Sequence, residues 1–164
     1  MKEKHALRPE RLREDVLRYL EERFGMPSSL FMDYGLYLGP RGRVFLGPKS
    51  VPVSAKIVTI GLLVARADST VKPTTNLLQA FGAHVLRNSV DLTEGQARSF
   101  IKGEDLLLAE AGSATDGYIL ARYLGYPLGC GLLRIAGRGQ REFQNHFLAH
   151  FESTGGFEQH PAFA

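Results

Sequence analysis

The sequence contains no tryptophan, a single cysteine and no long uninterrupted apolar run. One cysteine, Cys130, excludes an intramolecular disulfide framework and a zinc site built from several thiolates, and it fits a reducing compartment. The longest apolar stretch, residues 57–65, is interrupted by Thr59 and Gly61, and the charged N-terminus lacks the apolar segment of a secretion signal. We therefore expect a cytoplasmic protein with no membrane-spanning helix.

Motifs for nucleotide binding and catalysis are also missing. There is no phosphate loop of the GxxxxGK type, and the glycine-rich segment 125–131 lies in a predicted hairpin, where it does not open a helix. Because most reactions need a convergent nucleophile, acid and base, we expect no enzyme activity and no cofactor.

Two isolated features leave chemical alternatives open. Cys130 lies between two glycines and could act as a thiolate nucleophile if His84, His146 or His150 were close, but a lone strand cysteine is typical of a small buried hydrophobe. His146 and His150 have the i, i+4 spacing of a zinc-binding pair, yet no third ligand lies near them in the sequence.

Charge is unevenly distributed along the 164 residues, although the formal net charge is only +3. Residues 27–90 carry seven basic side chains against two acidic ones, whereas residues 91–110 carry five acids against two bases. A surface of one sign can neutralise phosphates and release their counterions, while the alternative is a solvated surface of uneven charge. Arginines outnumber lysines, which suits phosphate recognition, although a GC-rich genome produces the same bias.

The pattern predicts an α+β fold in which a small α/β half precedes a mostly β half. Leu12, Val16, Leu20 and Phe24 recur every four residues and predict a helix over 9–24, starting near Pro9. Further helices are predicted over 72–81 and, from the capping-box spacing of a threonine and a glutamine, over 93–101. Strands are predicted over 31–38, 43–46, 57–65, 106–109, 118–123 and 128–135, and a mobile tail over 151–164.

The second half resembles a PUA domain, the fold named for pseudouridine synthase and archaeosine transglycosylase. The similar segments are RNSVDL at 87–92, FIKGEDL at 100–106, GYILARY at 117–123 and PLGCG at 127–131. The segments before them, 55–66 and 72–76, resemble the pre-PUA region of Nol/Nop/Sun (fmu) RNA cytosine-5 methyltransferases and of small archaeal and eukaryotic ribosome-biogenesis factors. The resemblance implies a pre-PUA domain over 1–84, a PUA-like β-barrel over 85–150 and a tail over 151–164. The methyltransferase catalytic domain has no counterpart here, and of the basic segment that follows the Gly-x-Gly strand in those enzymes only Asn145 is kept.

The resemblance also implies an RNA groove between the capped helix with its glycine loop and the last strand of the hairpin. Glycines there would permit close approach of the RNA backbone, basic side chains would contact phosphates, and a tyrosine would stack on a base. The predicted RNA-binding residues are Phe100, Lys102, Gly103, Tyr126, Leu128, Gly129, Gly131 and Arg134, with Arg66 and Lys72 from the basic stretch.

We therefore expect a non-catalytic RNA-binding protein for structured rRNA or tRNA, acting in ribosome biogenesis or RNA modification without a membrane partner. The five acids of 91–110 motivate an alternative, because they weaken phosphate attraction near the expected groove. In that alternative the chain is an adaptor subunit that docks a ribosome-assembly or RNA-modifying protein.

Overall fold

A computed structural model describes residues 11–51, 60–135 and 141–146. The predicted helix start at Pro9, residues 57–59 of a predicted strand, His150 and the predicted tail lie outside these residues. Short 3₁₀ turns occur at Ser28–Phe31, Pro40–Gly42 and Gly82–His84. The described helices are α1 (Leu12–Phe24), α2 (Thr75–Phe81) and α3 (Glu94–Ile101). The described strands are β1 (Tyr34–Leu38), β2 (Arg43–Pro48), β3 (Leu62–Ala67), β4 (Val71–Pro73), β5 (Ser89–Asp91), β6 (Leu106–Leu108), β7 (Gly117–Tyr123), β8 (Tyr126–Ile135) and β9 (Arg141–Asn145).

These strands form two sheets, so the predicted α+β fold is confirmed. The first sheet has the antiparallel order β1-β2-β3-β4, and the apolar stripe of α1 is buried in a core that also contains residues of α2 and of β2, β3 and β4. Gly25 ends α1 in the left-handed conformation at φ 71°, and its N–H donates to the Glu21 carbonyl at 2.9 Å. The prediction of this helix is confirmed from Leu12 onward.

Several boundaries in the first half differ from the sequence prediction. The strand predicted over 57–65 is observed as Leu62–Ala67, because Gly61 just before it adopts φ 60°. The helix predicted over 72–81 begins only at Thr75, because Thr74 is its N-cap and accepts a hydrogen bond from the Leu77 N–H at 3.3 Å. Lys72 and Pro73 belong instead to β4. The strand predicted from residue 31 begins at Tyr34, since Phe31 is buried as the last residue of a 3₁₀ turn.

The second sheet is a curled half-barrel with the order β5-β7-β8-β9-β6, in which β5 runs parallel to β7. Leu124 at φ 50° and Gly125 at φ 80° form the two-residue turn between β7 and β8, so β8 begins at Tyr126, before the predicted residue 128. The predicted capping box is confirmed, because Thr93 and Gln96 each accept a hydrogen bond from the other's backbone N–H. The strands β5 and β9 were not predicted.

The two halves share an interface. Leu120 and Cys130, which belong to the second sheet, are fully buried in the core cluster of the first half. Across the same interface the Arg23 guanidinium donates to the Tyr118 carbonyl at 2.7 Å and to the Thr115 hydroxyl and carbonyl, each at 2.8 Å. Burial lowers the pKa of Arg23. The proposed domain division at residue 84 stays a prediction, with each sheet building a core cluster of its own.

Candidate nucleic-acid interface

The loop that follows α3 is held in place by a side chain of β9. Gly103 adopts φ 86°, and its N–H donates to the Phe100 carbonyl at 3.0 Å. The Asn145 amide donates to the carbonyls of Phe100 at 2.7 Å and Glu104 at 3.0 Å. Lys102 ends the helix with its side chain exposed to solvent. The loop therefore presents a cation on a backbone that Asn145 fixes.

The cleft predicted between this loop and β8 is occupied by β9. Gly131 of β8 pairs with Asn145, and a Cβ on Gly131 would lie 2.1 Å from the Phe143 ring. Phe100 is fully buried and stacks on Phe143, with ring centroids 5.7 Å apart. We therefore correct the prediction that Phe100 and Gly131 line an open RNA cleft. The Phe100 ring packs inside the core, and the absence of a Cβ on Gly131 leaves room for the Phe143 ring.

Arg134 lies exposed at a shallow cleft on the outside of the same strands. Its register partner on β9 is Glu142, and the cleft has a volume of about 270 Å³. Asp105 and Glu142 both line it, so two carboxylates accompany one guanidinium and disfavour a phosphate there. The cleft is lined by Asp105, Leu106, Leu107, Arg134, Glu142, Phe143 and Gln144.

The other predicted residues of β8 lie near the hairpin turn. Tyr126 is 73% exposed, so its ring is available for stacking. Leu128 is half-buried, and its carbonyl accepts a hydrogen bond from the Gln79 side chain at 2.8 Å. Gly129 is buried opposite Ala121 of β7. Of these three residues, Tyr126 presents the most exposed side chain.

Three basic side chains lie in register across the first sheet. Arg66 of β3 pairs with Arg43 of β2 on one side and with Lys72 of β4 on the other. We call these three residues the basic row. Among the residues that the structure describes, no carboxylate lies within 4.0 Å of any of them. The structure thus brings the predicted residues Arg66 and Lys72 together and adds Arg43, which lies in the basic stretch of the sequence but was outside the predicted set.

The Lys72 end of the basic row adjoins the second sheet. His146, directly after β9, has its pKa lowered mainly by burial, and the nearby Lys72 charge lowers it further while Asp105 raises it. The His146 ring packs edge-on against Tyr118 with centroids 5.5 Å apart, and the backbone N–H of His146 donates to the Cys130 carbonyl at 3.2 Å. Three residues beyond Lys72, the Thr75 hydroxyl accepts a hydrogen bond from the Cys130 N–H at 3.2 Å, so this end of the basic row lies beside the second sheet.

Comparison with protein-family models matches residues 87–139 to the PUA domain of methyltransferase RsmF. These residues form a PUA domain. It resembles that of the Sun/Nol RNA methyltransferases, and it extends from β5 through β8 over about a third of the chain. No curated protein matches the sequence.

The PUA domain contains Cys130, which earlier stood as a candidate nucleophile. The thiol is fully buried and burial raises its pKa, so the reactive thiolate is disfavoured. The Cys130 N–H donates to the Thr75 hydroxyl at 3.2 Å, which places this residue in the interface between the halves. The described residues contain no cluster of three potential metal ligands and no helix long and apolar enough to cross a membrane.

Proposed function

We propose that the protein is a non-catalytic, cytoplasmic RNA-binding protein that acts on structured rRNA or tRNA, in ribosome biogenesis or beside an RNA-modifying enzyme. The PUA domain carries this proposal, since PUA domains bind RNA. The exposed Lys102 on its fixed loop offers a phosphate contact, and Tyr126 offers a stacking face. A non-catalytic role is supported by the burial of Cys130, which withholds the one thiol from reaction.

Binding to RNA should weaken steeply as salt rises. If Lys102 contacts a phosphate, the logarithm of affinity should fall against the logarithm of salt concentration with a slope of about −1 from this residue alone, and more steeply for each further cation that contacts the RNA. Filter binding of the full chain to a tRNA and to an rRNA fragment, between about 50 and 200 mM salt, measures this slope. Lys102→Gln should make it shallower by about one.

The control for Lys102 is Arg18→Gln. Arg18 lies on α1, where its exposed side chain pairs with Asp15, and its loss removes the same charge from another surface. We expect this variant to keep the slope of the unaltered protein. The absence of RNA binding, or an affinity that does not change with salt, would refute the proposal.

One feature of the structure supports the adaptor alternative. Leu107, 72% exposed, lies beside Asp105 and Glu142 at the cleft on the outside of the PUA domain, which suits a partner protein better than a phosphate. A protein that remains bound after nuclease treatment would favour this alternative.

A further inference from the structure

We propose that the first sheet carries a second RNA-backbone site, centred on the basic row and separate from the PUA domain. This inference rests on the proposed RNA-binding function. In this site Arg43, Arg66 and Lys72 contact phosphates and do not recognise bases.

The register of the strands places the three cations on one face of the sheet. Residues paired directly across neighbouring antiparallel strands share a face, and neighbouring strands are about 4.8 Å apart, so the basic row spans about 10 Å. Ala65 and Ala67, which flank Arg66, are buried in the core with α1 and α2. Side chains alternate along a strand, and Arg66 with its two partners therefore points away from the helices.

Like charges placed directly opposite each other destabilise a sheet, and the basic row contains two such pairs in succession. Asp68, which lies beside Gly42 at the end of β3, is not within salt-bridge distance of the row. A polyanion that supplies several closely spaced negative charges would relieve this repulsion at once. An RNA backbone has that charge pattern.

The Arg43 guanidinium is oriented by its own half of the molecule. It lies 5.9 Å from the centre of the Phe45 ring, and its Nε donates to the Pro40 carbonyl at 3.2 Å. These contacts hold one end of a planar donor group and reduce the side-chain freedom lost when an anion binds. Arg43 is therefore suited to a directional phosphate contact.

The position of Lys72 favours the same RNA over a separate ligand. Lys72 lies three residues before Thr75, whose hydroxyl accepts a hydrogen bond from the Cys130 N–H of the PUA-domain strand β8 at 3.2 Å. Hydrogen bonds from Arg23 join the two halves, so the basic row keeps a fixed position and orientation relative to the PUA domain. One RNA that contacts both surfaces gains affinity because the second contact becomes intramolecular.

The test compares two double variants that lose the same charge. In R66Q/K72Q the basic row loses two cations, whereas in R11Q/R18Q two exposed arginines are lost from the N-terminal end and outer side of α1. In filter binding to the tRNA and the rRNA fragment, R66Q/K72Q should make the salt slope shallower by about two, and should lower affinity about 30-fold at about 0.15 M salt, equally for both RNAs. R11Q/R18Q should keep the slope of the unaltered protein.

The outcomes separate the two proposals. If the unaltered chain binds RNA but R66Q/K72Q retains its slope and affinity, the second site is wrong and the PUA-domain proposal stands. If the unaltered chain binds no RNA, the proposed function itself fails.

Thermal unfolding checks the fold of the variants. R66Q/K72Q should melt no earlier than R11Q/R18Q because it removes like-charge pairs. Should the double variant unfold, Lys72→Gln alone, at an exposed position, should still make the slope shallower by about one.

Discussion

Gly131→Ala is expected to lower the free energy of unfolding by about 3 kcal/mol. Gly131 is buried, and the added Cβ would lie 2.1 Å from the Phe143 ring and 2.9 Å from the Gln144 carbonyl oxygen. Phe143 is itself fully buried and stacked on Phe100, so the ring has no free space into which it can move. Urea unfolding of the two proteins measures the difference.

Gly95→Ala is the matched control. Gly95 is an exposed position within α3, where a Cβ would meet no atom within 4 Å. Alanine favours a helix over glycine, so this variant should be more stable by about 0.5–1 kcal/mol. Equal effects at Gly131 and Gly95 would mean that β9 does not cover Gly131, and the predicted open cleft would be restored.

Arg23→Ala should lower the free energy of unfolding by about 3 kcal/mol. The substitution removes a partly buried guanidinium that donates three hydrogen bonds. The carbonyls of Tyr118 and Thr115 then lose the donor that Arg23 supplies. Because these bonds join α1 to the PUA domain, the loss should also allow local opening between the halves. Amide hydrogen exchange at Leu120 and Cys130, which lie in the shared core, should become faster.

Two variants on α1 control the Arg23 result. Arg18→Ala removes an exposed side chain that pairs only with Asp15 among the described residues, and should change stability by less than about 1 kcal/mol. Arg23→Lys should recover little, because a single ammonium cannot reproduce the fork that reaches Tyr118 and Thr115 together. Full rescue by lysine would show that charge alone, rather than the hydrogen-bond geometry, joins the halves.

Local features of the fold could be predicted because local chemistry determines them. The four-residue spacing of apolar side chains identified α1, since only a helix buries Leu12, Val16, Leu20 and Phe24 together. The capping box identified the start of α3, because Thr93 and Gln96 satisfy each other's backbone donors whatever lies around them.

Contacts between distant segments could not be predicted in the same way. A glycine at 131 indicated a close approach, but nothing in the sequence shows whether an RNA backbone or the Phe143 ring makes it. The segment 141–145 has a single apolar residue, Phe143, among polar ones, so its sequence gives little strand signal. Its register against Gly131 depends on pairing across the whole sheet. This is why the predicted cleft is closed.

The basic residues illustrate both cases. The excess of positive charge over 27–90 was visible in the sequence and pointed to Arg66 and Lys72. That Arg43 lies directly opposite Arg66 follows only from the pairing of β2 with β3 across a long connection and a bulge. The sequence therefore predicted two of the residues of the candidate site. Their alignment with Arg43 in one row could be seen only in the folded structure.

Ultraviolet crosslinking of the protein to RNA in its own cells, followed by sequencing of the retained RNA, tests the central proposal most directly. We expect rRNA or tRNA fragments to be enriched over a control without crosslinking, and the yield to fall for R66Q/K72Q but not for R11Q/R18Q. Retention of no RNA above that control, together with a partner protein that stays bound after nuclease treatment, would contradict RNA binding and leave the adaptor role.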